Sequence, residues 1–305
     1  MQEKLETQDL RFLWLELTSR CNLHCIHCYA ESGPSPDIED ILTPNDYHGI
    51  IDSAASLGCK QVQFIGGEPT LVTELPAYIA HAHECGYEFV EVFTNATRIS
   101  DQLLECFVRY RVAVATSFYS CHEATHDRIT KHHGSYAKTV QTIRRLLAAG
   151  LDVRAGIIVM DENRMDVEET QQFLQNMGIH NINTDRIRAV GRALSSDKDP
   201  AMSELCGKCW LGSICVAPDG AVSPCIMSRA WSIGSLKEHR LEDLVHSPAL
   251  HTLREQIFND VWSSDMGAPC SPQCSPHCQP TCPPNCSPTC SPISCGPRGC
   301  WPAFS

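Results

Sequence analysis

Phe12-Leu-Trp-Leu-Glu-Leu17, followed by Cys21-Asn-Leu-His-Cys25-Ile-His-Cys28, decides how this 305-residue chain is read. The first stretch is an apolar, strand-like run. The loop after it carries three cysteines. Three thiolates can hold three irons of a cubane iron–sulfur cluster, which leaves the fourth iron open to another molecule. Such a loop reads as catalytic as well as structural.

Outward from this loop, strand-like and helix-like segments alternate as far as about residue 187. The expected strands are 12–17, 61–65, 88–93, 112–117, 153–159 and 181–187, all short and rich in Val, Ile and Phe. Thr43-Pro44-Asn45-Asp46 reads as a helix start, with a capping hydroxyl, a first-turn proline and a carboxylate three residues after the cap. Tyr47, Ile50, Ile51, Ala54 and Ala55 form one face of that helix, and Gly58 ends it. Ser135 opens a second helix that runs to Gly150, and further helices are expected near 73–85, 100–108 and 166–177.

Six βα-type repeats imply a parallel sheet, as a barrel or a doubly wound sheet. Both place ligand sites at the carboxyl ends of the strands. The cysteine loop stands at such an end. So do Gly66-Gly67-Glu68-Pro69, Thr94-Asn95 and Ser117. The set converges in space, which lifts residues that singly would be ordinary strand-end caps.

A net charge of −12 argues against nucleic acid as the main partner. No apolar stretch approaches the roughly 20 residues of a membrane span. The start, MQEKLETQDLRF, has no apolar targeting region, so the protein is expected to be cytoplasmic. Nineteen cysteines in a chain of this length point to metal or cluster binding rather than a disulfide framework. They group in the first loop, at Cys206, Cys209, Cys215 and Cys225, and from Cys270 to Cys300; Cys59, Cys85, Cys106 and Cys121 are scattered and read as ordinary small core residues. Each tail cysteine is followed two positions later by proline, which forbids a regular helix there.

Cys-x3-Cys-x2-Cys after the first strand, with Gly-Gly-Glu-Pro after the second, resembles the radical S-adenosylmethionine (SAM) superfamily. The resemblance implies a [4Fe–4S] cluster on Cys21, Cys25 and Cys28, with SAM on the open iron. It also implies reductive cleavage of SAM to a 5′-deoxyadenosyl radical. By the same resemblance Glu68 and the backbone around Gly66, Gly67 and Pro69 hold the SAM amino group. The backbone at His27 faces adenine, and Asn95 and Ser117 contact the ribose and methionyl part. Arg128 or Lys131 meets the SAM carboxylate; the sequence does not choose between them. His24 and His27 read as polar or stacking loop residues, and a zinc site on the three cysteines is the minor alternative.

Cys209-x10-Gly220-x4-Cys225, preceded by Asp185-Arg-Ile-Arg-Ala-Val-Gly191-Arg192, resembles the opening of SPASM or twitch extensions. Those extensions carry auxiliary iron–sulfur clusters in radical SAM enzymes that modify peptides. At least one auxiliary cluster is therefore expected, with Cys206, Cys209, Cys215 and Cys225 as ligands; a structural zinc is the plain alternative. The later cysteines depart from the SPASM pattern, and whether the tail ligates, stays loose or is itself a substrate segment is open.

The expected architecture is α/β: a partial (β/α)6 TIM-like barrel with a C-terminal cysteine-rich, SPASM-like extension. The expected divisions are 11–190 for the core, 191–263 for the auxiliary-cluster region and 264–305 for the Cys-x-Pro repeat tail. The expected function is radical modification of a peptide by crosslinking, oxidation or epimerisation. The rivals are a radical SAM enzyme of a small metabolite and a non-catalytic metal or cluster carrier. Because the first strand begins at residue 12, a separate leader-binding protein is expected, or else the barrel mouth and tail read the substrate. A flavodoxin or ferredoxin is the expected electron donor. No catalytic acid or base is assigned; Glu16, His122, His126 and Asp185 are candidates.

Overall fold

Residues 10–262 are described by a computed structural model of the chain. The tail expected at 264–305 lies outside the described residues. Six parallel strands stand side by side in chain order: β1 (Phe12–Glu16), β2 (Gln61–Ile65), β3 (Phe89–Thr94), β4 (Ala113–Ser117), β5 (Val153–Val159) and β6 (Asn181–Arg186). An order that never reverses excludes the doubly wound alternative, whose strand order switches direction at its crevice. The helices between them are α1 (Pro44–Ser56), α2 (Leu75–Glu84), α3 (Asp101–Tyr110), α4 (Glu123–Thr130), α5 (Ser135–Ala148) and α6 (Val167–Met177).

Local chemistry sets these boundaries. Thr43 and Asp46 close a reciprocal capping box at the start of α1. Ser100 accepts from the Leu103 N–H at the start of α3. Gly134, at φ +78°, caps α5, so Ser135 is its first helical residue rather than its cap. α4 is absent from the helices that the sequence predicts. Only His126, Ile129 and Thr130 of its eight residues are buried, so its apolar stripe is almost silent.

The sheet does not stop at β1. The extension adds β7 (Ser213–Val216), which pairs parallel with β1, then β8 (Ala221–Ser223) and β9 (Gly234–Ser235) in antiparallel register. Among the described residues this makes one nine-stranded sheet. The turn at Pro218-Asp219-Gly220 joins β7 to β8. Two helices follow, α7 (Leu241–Val245) and α8 (Pro248–Ile257), separated where Ser247 caps the second.

Alternation along β1 divides the core. Leu13 and Leu15 face the helices with Val62, Phe64, Ile51 and Ile79. Phe12 and Trp14 face the other way, against Leu205, Cys209, Cys215, Cys225 and Ile257 of the extension. Deeper inside, Glu91 takes bonds from Arg154 and Gln63, a buried ion pair satisfied by a neighbouring amide. No helix of the described residues is long and apolar enough to cross a membrane.

Candidate functional site

The first cysteine loop is held from several sides. At the end of β1, Asp40 accepts from Thr18 Oγ1, Ser19 N–H and Ser19 Oγ at 2.5–2.7 Å. The Cys21 N–H donates to Gly33 O at 2.9 Å. The last turn of α4 takes two more donors, His24 N–H to Thr130 O and Ile26 N–H to Ile129 O. From the far end of the barrel, Arg192 donates to Cys25 O and Ser32 O, each at 2.7 Å, and its N–H donates to Cys28 O at 2.9 Å. Gly191 fits there because a Cβ would stand 2.3 Å from Cys28 O. The sequence marked Gly191-Arg192 only as part of a typical phrase; its place under the loop is visible in the fold alone.

The three sulfurs fit a cluster better than a lone ion. A single zinc would draw three thiolates to about 2.3 Å from one centre and so into mutual contact. Among the described residues, sets of three ligand atoms within 4.8 Å of one another occur elsewhere, and Cys21, Cys25 and Cys28 are not among them. Burial pushes the thiols of Cys21 and Cys25 up to about 12, with the neighbouring cysteines and, for Cys21, Glu68 adding to it. Soft iron–thiolate bonds would replace those protons. Within the loop, His27 Nε2 is buried without a hydrogen-bond partner.

Gly66 and Gly67 admit a close backbone approach on the side of the cysteine loop. A Cβ on Gly66, at φ +123°, would lie 2.6 Å from Thr18 O, and one on Gly67 would lie 2.1 Å from Arg20 O. The glycines let the end of β2 press against the chain entering the cysteine loop, with Gly67 N–H on Thr18 O and Glu68 N–H on Arg20 O. Pro69 is buried and starts a 3-10 turn.

Glu68 is fully buried and already well supplied with donors. Its Oε1 accepts from Thr70 N–H and from the hydroxyls of Thr70 and Thr94; its Oε2 accepts from Asn95 N–H at 2.7 Å. Burial nevertheless raises its pKa. Acceptor capacity is left mainly on Oε2. Asn95 Nδ2 donates to Asn22 Oδ1 at 2.9 Å and approaches Cys21 Sγ at 3.7 Å, while its Oδ1 accepts from Thr97. Its side chain therefore ties β3 to the cysteine loop. Ser117 and Cys25 both reach the hydroxyl of Tyr119, a residue that no motif in the sequence marks. His27 packs edge-on against the same ring, 5.3 Å between centroids, and burial lowers its pKa to about 4. Arg128 spends a guanidinium N–H on Glu162 O, whereas Lys131 and Arg192 lie close enough to His24 to lower its pKa.

Across β1 stands the second group. Cys209, Cys215 and Cys225 are buried and Cys206 is half-buried. Cys209 donates to Cys225 Sγ at 3.0 Å and also contacts Cys206, so the proton stays on Cys209 and its pKa is raised. Cys215 projects from β7, beside Cys225 and Glu16. Arg254 is buried next to Cys209 and donates to Ser213 O at 3.0 Å; burial lowers its pKa to about 10. A buried cation here offsets the charge of several thiolates.

Between the two groups lies a junction that sequence reasoning reached only through Glu16. Glu16, on the face of β1 shared by Phe12 and Trp14, is ion-paired with Arg229. Arg229 lies 5.9 Å from the ring centroid of Tyr29, which directly follows Cys28. Glu16 Oε1, Tyr29 Oη and Arg229 Nε are all buried without partners. Tyr29 also feels the charges of Cys28 and Cys215, which places it between the cysteine groups.

The other candidate acids and bases are dispersed. His122 is exposed, 3.2 Å from Glu169. His126 is buried among Phe118, Tyr119 and Tyr136, and burial lowers its pKa to about 4. Asp185 binds Arg188 at 2.9 Å, yet its pKa is raised because burial outweighs that partner.

Residues 15–174 match the radical SAM superfamily, and residues 206–283 match SPASM, an iron–sulfur cluster-binding domain. The chain is 26% identical over 274 residues to the antilisterial bacteriocin subtilosin biosynthesis protein AlbA of Bacillus subtilis, spanning 78% of this chain and 60% of that protein. It is 28% identical over 167 residues to Fe-coproporphyrin III synthase of Methanosarcina barkeri, spanning 54% of this chain and 41% of that protein. Its fold is similar to that of Streptococcus suis SuiB bound to S-adenosylmethionine, with a TM-score of 0.67 at 14% identity over 83% of this chain and 69% of that one.

Proposed function

We propose a peptide-modifying function for this chain, which belongs to the radical SAM superfamily and carries a SPASM match in its extension. The two family matches imply a [4Fe–4S] cluster, SAM and auxiliary iron–sulfur binding. When bound, that cluster and SAM supply a 5′-deoxyadenosyl radical able to take hydrogen from unactivated carbon.

In this reading the core is 11–190, the auxiliary region 191–263 and the repeat tail 264–305. Cys21, Cys25 and Cys28 hold the cluster, and Arg192 and α4 fix the loop's backbone. The remaining acceptor of Glu68 and the carbonyls around Gly66, Gly67 and Pro69 receive the SAM ammonium, a charge-assisted contact. Lys131 is better placed than Arg128 for the SAM carboxylate. His27 lies against adenine, and Ser117 acts on the ribose side with Tyr119. Asn95 positions the loop through Asn22. Cys206, Cys209, Cys215 and Cys225 serve the auxiliary cluster, with Arg254 offsetting its charge. Glu16, Tyr29 and Arg229 bind a polar group of the substrate between the two centres. Water is excluded there by Phe12, Trp14 and the extension.

The observation that carries the reading is this junction: three unpartnered buried polar atoms between two cysteine groups. The substrate class rests on the SPASM match and on the similarity to AlbA, a bacteriocin subtilosin biosynthesis protein. The resemblance to Fe-coproporphyrin III synthase favours a small-metabolite reading, which remains the second. A cytoplasmic setting, a flavodoxin or ferredoxin donor and a separate leader-binding protein complete the proposal.

The test is anaerobic incubation of the reconstituted, reduced protein with SAM and candidate precursor peptides, followed by mass spectrometry. Loss of two hydrogens from a peptide indicates a crosslink or dehydrogenation. Unchanged mass with deuterium uptake indicates epimerisation. Deoxyadenosine formed with every peptide left unchanged, and with a tetrapyrrole or other metabolite altered instead, overturns the peptide assignment.

A further inference from the structure

On the outer helical layer, α1 and α2 bring together four side chains that neither cysteine group uses. Asp52 and His48 lie four residues apart on α1; His81 and Cys85 lie four residues apart at the end of α2. Residues so spaced share one helix face. His81 Nε2 is 2.8 Å from Asp52 Oδ1 and 3.6 Å from Cys85 Sγ, and that sulfur is 3.2 Å from the same Oδ1.

Without a metal, hydrogen bonds close this triangle: Asp52 Oδ1 accepts from both His81 Nε2–H and the Cys85 thiol. The same arrangement presents three ligand atoms within 4.8 Å of one another. Ligand atoms around a tetrahedral zinc, at bonds of about 2.0–2.3 Å, stand roughly 3.3–3.8 Å apart. The two edges to sulfur, 3.2 and 3.6 Å, fall within about 0.1 Å of that range, while the His81–Asp52 edge of 2.8 Å is shorter by about 0.5 Å and has to open on binding. His48 stands beside this set but is not one of the three residues whose ligand atoms lie within 4.8 Å of one another. Its Nδ1 is 2.8 Å from Pro44 O, so the proton belongs on Nδ1 and Nε2 keeps its lone pair. Its ring lies 4.8 Å from that of His81.

We propose that Asp52, His81 and Cys85 form a binding site for a borderline divalent cation of the zinc class, with water in the fourth position. One sulfur, one imidazole and one carboxylate are donors that zinc takes. Binding displaces the Cys85 thiol proton to solvent and leaves a zinc–thiolate bond. Cys85 sits where the chain turns from α2 toward the start of β3, on the rim opposite the first cysteine loop. The ion braces α1 against α2 there and takes no part in the radical chemistry.

Full-length reconstituted protein is washed with chelator and given one equivalent of zinc. Each cysteine's alkylation rate is then followed by peptide mass spectrometry, which resolves Cys85 from the other thiols. Zinc is expected to slow Cys85 about tenfold or more, with no slowing in His81→Ala or Asp52→Ala. His48→Ala, which lies outside the set, is expected to leave the Cys85 protection in place. Unchanged rates at Cys106 and Cys121 report that each variant is folded. Zinc-edge anomalous scattering from crystals of the intact protein should place a peak among Asp52, His81 and Cys85. A Cys85 rate indifferent to zinc, or equal protection in His81→Ala, overturns the proposal, as does zinc found only at other cysteines.

Discussion

The two cysteine groups flank the same strand and are built in opposite ways. The first is a loop whose backbone is pinned by Asp40, α4 and Arg192, while its sulfurs stay only half-buried. The second is walled by Phe12, Trp14, Leu205 and Ile257, with three of its four thiols buried. A rigid backbone with accessible sulfurs suits a centre that exchanges a ligand. Thiols closed off by an apolar wall suit a centre that keeps its own. In the proposed function, turnover falls to the loop and permanence to the extension.

The sharpest way to break this contrast is Cys25→Ala. Deoxyadenosine formation should fall below detection, and circular dichroism should report an unchanged fold. Cys209→Ala should leave SAM cleavage measurable while lowering iron content. Equal loss of cleavage in both would mean that the groups do not divide the labour.

Next in size is the junction. Removing one member of the Glu16–Arg229 pair strands the other charge in a buried site, which costs about 3–5 kcal/mol. Denaturant unfolding of Glu16→Ala and Arg229→Ala should show it. The double variant Glu16→Gln/Arg229→Met should regain much of that stability without regaining product formation. A small loss in the single variants would show that water already fills the junction.

Acid should find the first region. His126 is buried neutral, with its pKa lowered from 6.5 to about 4 by burial. As pH falls below 6.5 the unfolded chain takes up this proton first. Stability therefore declines through the window from 6.5 to about 4, by up to about 1.4 kcal/mol per pH unit for this group, and levels off below it. His126→Gln should show a correspondingly shallower slope in apo-protein unfolding. An identical slope would remove the buried histidine from the account.

Arg192→Ala should cost about 1.5–3 kcal/mol, since it deletes charged bonds to two carbonyls. It should also speed chelator removal of iron from the first site and not the second. Ser100→Ala, which only uncaps α3, should cost about 1 kcal/mol and leave both iron sites unaffected.

Much of the barrel is legible in the sequence because its strands are local apolar runs and its helices carry their own caps. Phe12–Glu16 and Pro44–Ser56 are examples. α4 escapes notice because a short polar helix buries too little to leave a period, yet its Thr130 and Ile129 carbonyls anchor the cysteine loop. The pairing of β7 with β1 leaves no local signature, since parallel neighbours need share nothing in sequence. Among site residues, the cysteines and Glu68 announce themselves through spacing. Tyr119, Arg229 and Arg254 do not, because their significance lies in what stands across the fold from them. Gly66 and Gly67 are legible as glycines, and the fold adds that they accommodate the backbone of Thr18 and Arg20.

The most direct test measures 5′-deoxyadenosine from anaerobically reconstituted, reduced protein given SAM. The account predicts formation by the native chain, none by Cys25→Ala, and a mass change in a peptide substrate that Glu16→Gln abolishes while SAM cleavage continues. No deoxyadenosine from protein with a full iron complement, or peptide modification undiminished in Glu16→Gln, would contradict it.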